Sequence, residues 1–71
     1  MTGAQLYELY RVLDELYSEQ DRVHKQDLLR RAREAGLGQE VESWIEELRD
    51  IEYTKLRLLD LLGRFVSGRA A

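Results

Sequence analysis

The C-terminal part of the chain carries more large apolar side chains than one face of a helix can hold. Seven such residues stand between positions 56 and 66: Leu56, Leu58, Leu59, Leu61, Leu62, Phe65 and Val66. At helical spacing they point to most sides of the helix, and a helix of this kind is normally buried. The chain has 71 residues, and a domain of this size has little core with which to cover it. We therefore expect a second copy of the chain, or another protein, to cover this segment.

Composition is typical of a soluble helical protein. Hydrophobic residues make up 44% and charged residues 35%, which is too apolar for a disordered chain and too charged for a membrane span. Cysteine is absent from the sequence, which excludes disulfide scaffolds, thiolate zinc sites and cysteine nucleophiles. Residues 1–5 lack the basic start and apolar stretch of a secretion signal, so we expect a cytoplasmic protein that makes no membrane contact.

Apolar spacing and glycine-marked breaks predict an all-α fold, with a single domain over residues 1–71 and three to four helices. The helices are expected at about 4–18, 25–35, 39–52 and 54–66. Thr2 and Gln5 fit a capping box at the first helix start, in which each side chain bonds the other residue's backbone N–H. Gly36 is placed to end the second helix in the left-handed conformation, which glycine adopts without steric cost.

The region 39–66 is compatible with either one helix or two. Apolar residues alternate at spacings of three and four from Val41 to Phe65, as in a heptad seam, and Lys55 is the polar interruption. One continuous helix is therefore a valid interpretation. A break at residues 51–54 is the other, because Ile51, Tyr53 and their neighbours favour extended chain.

One glycine turn interrupts the apolar pattern of residues 6–53. Its most informative part is Val23-His24-Lys25-Gln26-Asp27-Leu28-Leu29, Ala32, Ala35-Gly36-Leu37-Gly38, Val41, Trp44-Ile45, Leu48 and Ile51. This pattern resembles helix-turn-helix and winged-helix domains. The resemblance implies a helix-turn-helix-like core, a short extended segment before the second helix, and a third helix that carries the recognition surface. A wing is not evident, since residues 51–59 contain no Gly, Pro, Asn or Asp for its turn.

Charges of opposite sign concentrate on neighbouring helices. Residues 39–50 carry five acidic side chains against Arg49, and such a helix is repelled by phosphates. The second helix region carries five basic residues against Asp27: Arg22, Lys25, Arg30, Arg31 and Arg33. We expect these cations to balance the acidic third helix, within the monomer or across a dimer; binding of an anion is the alternative.

The sequence contains no pattern that indicates catalysis or metal binding. Glu42, Glu46 and Asp50 share a helix face, but metal sites in helical bundles add a Glu-x-x-His motif, and Asp21 stands three residues before the only histidine. That histidine, His24, lies at a predicted helix start, where we expect it to cap the helix or lie on the surface. We expect no enzymatic activity, no catalytic residues, no metal ligands and no cofactor.

Two functions are compatible with these features. The first is a non-catalytic protein–protein interaction module, which forms a homodimer or a small subunit of a larger complex through a C-terminal association helix. Its interface residues are expected to be Trp44, Ile51, Leu58, Leu62 and Phe65. The alternative is a small dimeric helix-turn-helix DNA-binding regulator, whose five basic residues named above contact phosphates, although the acidic third helix disfavours nucleic acid.

Overall fold

Four helices and two short strands form the computed structural model, which describes the backbone of residues 2–70 and the side chains of residues 2–68. The elements are α1 Gly3–Tyr17, β1 Arg22–His24, α2 Lys25–Glu34, α3 Gln39–Glu47, β2 Glu52–Thr54 and α4 Lys55–Ala70. The architecture is mostly helical, as the sequence predicts, with the addition of a two-stranded sheet. No helix in the described residues is long and apolar enough to cross a membrane.

The capping box predicted for the first helix is present at the start of α1. The Thr2 hydroxyl accepts the Gln5 N–H at 3.1 Å, and the Gln5 side-chain oxygen accepts the Thr2 N–H at 2.8 Å. These bonds satisfy N–H groups that have no partner within a helix. The capped helix turns Leu9, Val12 and Leu13 towards the core.

Gly36 ends the second helix as predicted. Its φ is 65°, and this left-handed conformation turns the chain back over the last helical turn. The Gly36 N–H donates to the Arg33 carbonyl and the Leu37 N–H donates to the Ala32 carbonyl, each at 3.1 Å, which is the Schellman pattern. Leu37 is thereby buried.

The region 39–66 forms two helices with a strand between them. Helix α3 ends at Glu47, earlier than the predicted end near 52, and the continuous helix is wrong. Residues 52–54 form β2 because they favour extended chain and find a strand to pair with. The heptad seam is therefore interrupted, and Lys55 is the first residue of α4 rather than a polar position inside a seam.

The two strands pair in antiparallel fashion around Val23 and Tyr53, which lie opposite each other and are both buried. The ladder is extended by the Lys25 N–H, which donates to the Ile51 carbonyl at 3.1 Å. Each strand passes into a helix without a loop, β1 into α2 and β2 into α4. The pairing therefore sets where both helices begin relative to each other.

The chain contains two helix–strand–helix units, which the sequence analysis does not anticipate. The first is α1–β1–α2 and the second is α3–β2–α4. Leu28, Leu29 and Ala32 hold the same places after β1 that Leu58, Leu59 and Leu62 hold after β2. The central residues of the two strands are also equivalent, so the strands pair about a local pseudo-two-fold axis.

Helix α4 packs against the rest of the same chain. The core consists of Leu9, Val12, Leu13, Val23, Leu28, Leu29, Ala32, Leu37, Val41, Trp44, Ile45, Tyr53, Leu58 and Leu62. Leu59, Leu61, Phe65 and Val66 are half-buried and pack against this core. Of the seven apolar residues between 56 and 66, only Leu56 is largely exposed, at 82%. A partner is therefore not needed to cover Leu58 and Leu62, and the chain itself covers part of the other four.

Leu62 and Leu56 form a matched pair for testing where α4 is covered. Leu62 is fully buried and Leu56 is exposed. We expect Leu62→Ala to lower the free energy of unfolding by about 2–5 kcal/mol, because the truncated side chain loses its contacts and leaves a cavity. Leu56→Ala is expected to change it by less than about 0.5 kcal/mol. Urea unfolding at low protein concentration measures both values, and equal losses would contradict burial of α4 within one chain.

Substituting two glycines with alanine should change stability in opposite directions. At each position an added Cβ meets no atom within 4 Å, so the backbone alone decides the outcome. Gly36→Ala is expected to destabilise the fold by about 1 kcal/mol or more, because L side chains disfavour positive φ. Gly63 lies inside α4, where alanine is expected to stabilise the helix by about 0.5–1 kcal/mol. Thermal unfolding midpoints that shift in the same direction would count against this account of Gly36.

Candidate functional site

Most of the interface residues predicted from the sequence lie in the core. Trp44 is 5% exposed, while Leu58 and Leu62 are fully buried, so these three are not available to a partner of the folded chain. Phe65 is half-buried, with its ring centroid 6.0 Å from that of Trp44 and the ring planes at 40°. Ile51 is the predicted interface residue that lies open to solvent, at 45% exposure. The apolar spacing identified buried residues correctly but assigned three of them to the wrong surface.

The basic side chains of α2 bind carboxylates of the same molecule. Arg33 donates to Glu42 and Glu46 of α3, at 3.1 Å in each case. Arg31 donates to Glu15 of α1 at 2.7 Å. The expected charge balance between α2 and α3 therefore exists within one chain.

Two further cations of this set have partners, and one does not. The Arg30 guanidinium lies 3.2 Å from Asp27, and the Lys25 ammonium donates to the Glu46 backbone carbonyl at 2.7 Å. The side chain of Arg22 forms no ion pair or side-chain hydrogen bond within residues 2–68. The five cations of the DNA-binding alternative thus do not form one free basic surface.

Arg22 lines a groove at the edge of the sheet, which we name the arginine groove. Its volume is about 390 Å³, within the range of small ligand sites. It is lined by Arg22, Glu47, Leu48, Arg49, Ile51, Glu52, Tyr53, Thr54, Arg57 and Leu61. These residues come from both strands, from the end of α3 with the loop after it, and from the first turns of α4.

Three exposed arginines give the groove its chemical character. Arg22 belongs to β1, Arg49 follows α3, and Arg57 lies in the first turn of α4. Among the side chains that the structure describes, none of these three guanidinium groups has an ion-pair or hydrogen-bond partner. Each guanidinium carries five N–H donors and a permanent positive charge. The groove is therefore able to bind carboxylate or phosphate groups.

An apolar strip lies beside the arginines. Leu48 and Leu61 are half-buried against the core, and Ile51 is exposed. Tyr53 is buried beneath them, and its hydroxyl donates to the Arg49 carbonyl at 2.9 Å. The groove thus combines a hydrophobic surface with separate cationic groups.

Tyr17 fixes the strand that forms one wall of the groove. Its hydroxyl donates to the Tyr53 carbonyl at 2.6 Å and so ties the end of α1 to β2. Burial disfavours the charged phenolate and raises the pKa of Tyr17 to about 12 from 10.0. The neutral hydroxyl is the form that donates this bond.

His24 caps α2, in agreement with the role expected from the sequence. Its Nδ1 accepts the Gln26 N–H at 3.1 Å, and its Nε2 lies 3.5 Å from the Asp50 carboxylate. Of the carboxylates on the predicted acidic face, Glu42 and Glu46 bind Arg33, and Asp50 accepts a hydrogen bond from Gln26. The structure places no group of three or more potential metal ligands together in the residues it describes.

Comparison of the chain with protein-family models, with curated proteins and with solved structures finds no match.

Two residues of the groove belong to the sites predicted from sequence, Arg22 to the DNA-binding alternative and Ile51 to the protein interface. Arg49 and Arg57 belong to neither predicted site. The structure brings all four to one place because β1 pairs with β2. The sequence feature that points to this arrangement is the tendency of residues 51–54 to form extended chain. When these residues pair with another strand, they become the edge of a sheet.

Tyr17→Phe is expected to change the alkaline stability of the fold. Between pH 10 and about 12 the unfolded chain loses the Tyr17 proton before the folded chain does, so the stability that this group contributes below pH 10 is lost as the pH rises. In the variant, the free energy of unfolding should decline less over this pH range. It should also be about 1 kcal/mol less stable at neutral pH, because the Tyr53 carbonyl loses a donor.

Urea unfolding at several pH values measures both effects. Tyr7→Phe is the control, because Tyr7 is 63% exposed on the same helix and should keep its neutral-pH stability. An unchanged alkaline decline in Tyr17→Phe would contradict the burial of this hydroxyl, and an unchanged stability at neutral pH would contradict its bond to the Tyr53 carbonyl.

Proposed function

We propose that the protein is a non-catalytic protein-interaction module whose partner binds at the arginine groove. One observation carries this proposal: exposed Ile51 lies in the same groove as three arginines that lack partners in the described part of the molecule. Arginine and apolar side chains that lose their water together are typical of the centre of protein interfaces. The groove supplies both kinds of group within one surface.

The location of the proposed interface differs from the one predicted from sequence. The half-buried Leu61 of α4 contributes to the groove, while Leu58 and Leu62 of the same helix stabilise the core. Among the described leucines of α4 only Leu56 is largely exposed, and a single exposed leucine is a weak reason for self-association. We propose that the partner is a different protein. The tests would also detect a homodimer.

The DNA-binding alternative receives less support from the geometry. Lys25, Arg30, Arg31 and Arg33 already bind groups of the same chain. The remaining cation, Arg22, lies in a groove that also contains two glutamates and an apolar strip, which do not suit a polyphosphate backbone.

Photo-crosslinking from two exposed positions tests the proposed function in cells. A photoreactive amino acid at position 51 lies in the groove, and one at position 7 lies on α1, outside the groove lining. We expect position 51 to form a discrete adduct with another protein and position 7 to form none, because only the groove is in contact with the partner. Mass spectrometry of the adducts identifies what is bound.

Three results would contradict the proposal. The absence of any adduct at position 51 is one. The same adducts at both positions would show that contact is not specific to the groove. An adduct made of nucleic acid, or of a second copy of the chain, would assign the groove to the DNA-binding or the homodimer alternative.

A further inference from the structure

The arginines of the arginine groove differ from the other described lysines and arginines because they have no ion-pair or side-chain hydrogen-bond partner. Seven lysines and arginines bind acidic side chains or a backbone carbonyl of the same chain: Arg11, Lys25, Arg30, Arg31, Arg33, Lys55 and Arg64. Among the side chains of residues 2–68, the cations left without a partner are Arg22, Arg49 and Arg57, and all three line the groove. Within residues 2–68, unpaired lysine and arginine charge is thus confined to one place, on a chain whose net charge is −3.

We infer that the groove binds an acidic, amphipathic segment of a partner protein, with carboxylates against Arg22, Arg49 and Arg57 and an apolar side chain against Ile51. This inference rests on the proposed function and specifies the chemistry of the partner. Arginine forms two parallel hydrogen bonds to a carboxylate, which adds geometric selectivity to the charge attraction. A volume of about 390 Å³ accepts a few side chains of such a segment.

The apolar strip and the two glutamates favour a peptide over a nucleic acid. Ile51 and Leu61 would remain beside water under a phosphate backbone, whereas an apolar side chain of a peptide covers them. Glu47 and Glu52 also line the groove, and they repel closely spaced phosphates. Separate carboxylates, each facing one arginine, avoid these glutamates more easily than a continuous polyanion does.

In a symmetric dimer, two facing grooves, each lined by three arginines and two glutamates, carry net charge of the same sign. Outside the groove, a second copy of the chain offers no segment of this chemistry in its described residues. Its carboxylates without an ion pair or side-chain hydrogen bond, among the residues described, are Glu19, Asp21, Glu47 and Glu52. Glu19 and Asp21 lie in the loop between α1 and β1, where all four residues, 18–21, are polar and exposed. The loop supplies negative charge but no apolar side chain for Ile51.

The experiment selects peptides from a random-sequence library displayed on phage, with the full chain as the target. Selection is repeated on a groove variant that combines Arg22→Gln, Arg49→Gln and Arg57→Gln. A control variant combines Arg11→Gln, Arg30→Gln and Arg64→Gln; it changes the net charge equally, and its three arginines pair with carboxylates of their own helices. Thermal unfolding of both variants establishes that they are folded.

We expect the selected peptides to be rich in Asp and Glu around apolar residues. Their affinity should be at least about tenfold weaker for the groove variant and nearly unchanged for the control variant, because only the former loses the contacted guanidinium groups. Ile51→Ser should also weaken binding while the salt dependence, which reports the arginines, remains. Fluorescence anisotropy with the selected peptides at two salt concentrations measures these changes.

Several outcomes would overturn the inference. Selected peptides without an acidic bias, no selected peptides at all, or peptides that bind the groove variant as tightly as the unmodified chain would each do so. Tight binding of duplex DNA that the groove variant loses would assign the arginines to phosphates. Dimers in sedimentation velocity that the groove variant loses would assign the groove to a second copy. A protein adduct at position 51 combined with non-acidic peptides would leave the proposed function standing and refute this inference alone.

Discussion

The rest of the structure depends on the antiparallel pairing of β1 with β2 around Val23 and Tyr53. Three residues in each strand are too few for stability alone, but both central side chains are buried and each strand continues directly into a helix. The pairing therefore positions α2 and α4 at once. Two tyrosine hydroxyls reinforce it, since Tyr17 donates to the Tyr53 carbonyl and Tyr53 donates to the Arg49 carbonyl. These bonds also hold Tyr53 and Arg49, which line the arginine groove. The interactions that stabilise the fold therefore also determine the shape of the site.

The two helix–strand–helix units differ at the connection that lines the groove in the second unit. Both units connect their first helix to their strand through four residues, 18–21 in the first and 48–51 in the second. The first connection carries Glu19 and Asp21 where the second carries Arg49 and Ile51. The backbones differ as well, since Ser18 is helical with ψ −26° and Leu48 is extended with ψ 154°. The groove therefore depends both on the extended chain after α3 and on the apolar and arginine side chains that this chain carries.

Sequence reasoning succeeded where the determining interactions are local. The capping box at Thr2 and the left-handed turn at Gly36 depend on residues within one or two turns of helix, and both are present. The sequence of region 39–66 allows one helix or two, because a short strand exists only if a distant partner pairs with it. Spacings of three and four continue through residues 51–54 and imitate a helical seam, although these residues are extended. The repeat of two units is hidden for a related reason: only the strand and the second helix of each unit share burial positions, and few of their residues are identical, so it emerges only once the strands are aligned.

The site was harder to predict than the fold because charge pairing is a tertiary property. A count of charges along the chain predicts a large basic surplus on α2, yet Arg33 binds Glu42 and Glu46, and Arg31 binds Glu15, across the packed helices. The arginines that remain without partners in the described residues come from β1, from the loop after α3 and from α4. No short stretch of the sequence contains all three. A chain of net charge −3 can therefore hold a localised cationic surface. Because exposed ion pairs are individually weak, the pairs elsewhere on the surface contribute little to stability, but they neutralise cations of residues 2–68 that would otherwise compete with the groove. The groove is therefore distinct mainly because the other described lysines and arginines are bound by groups of the same chain. The strength of its own charge matters less.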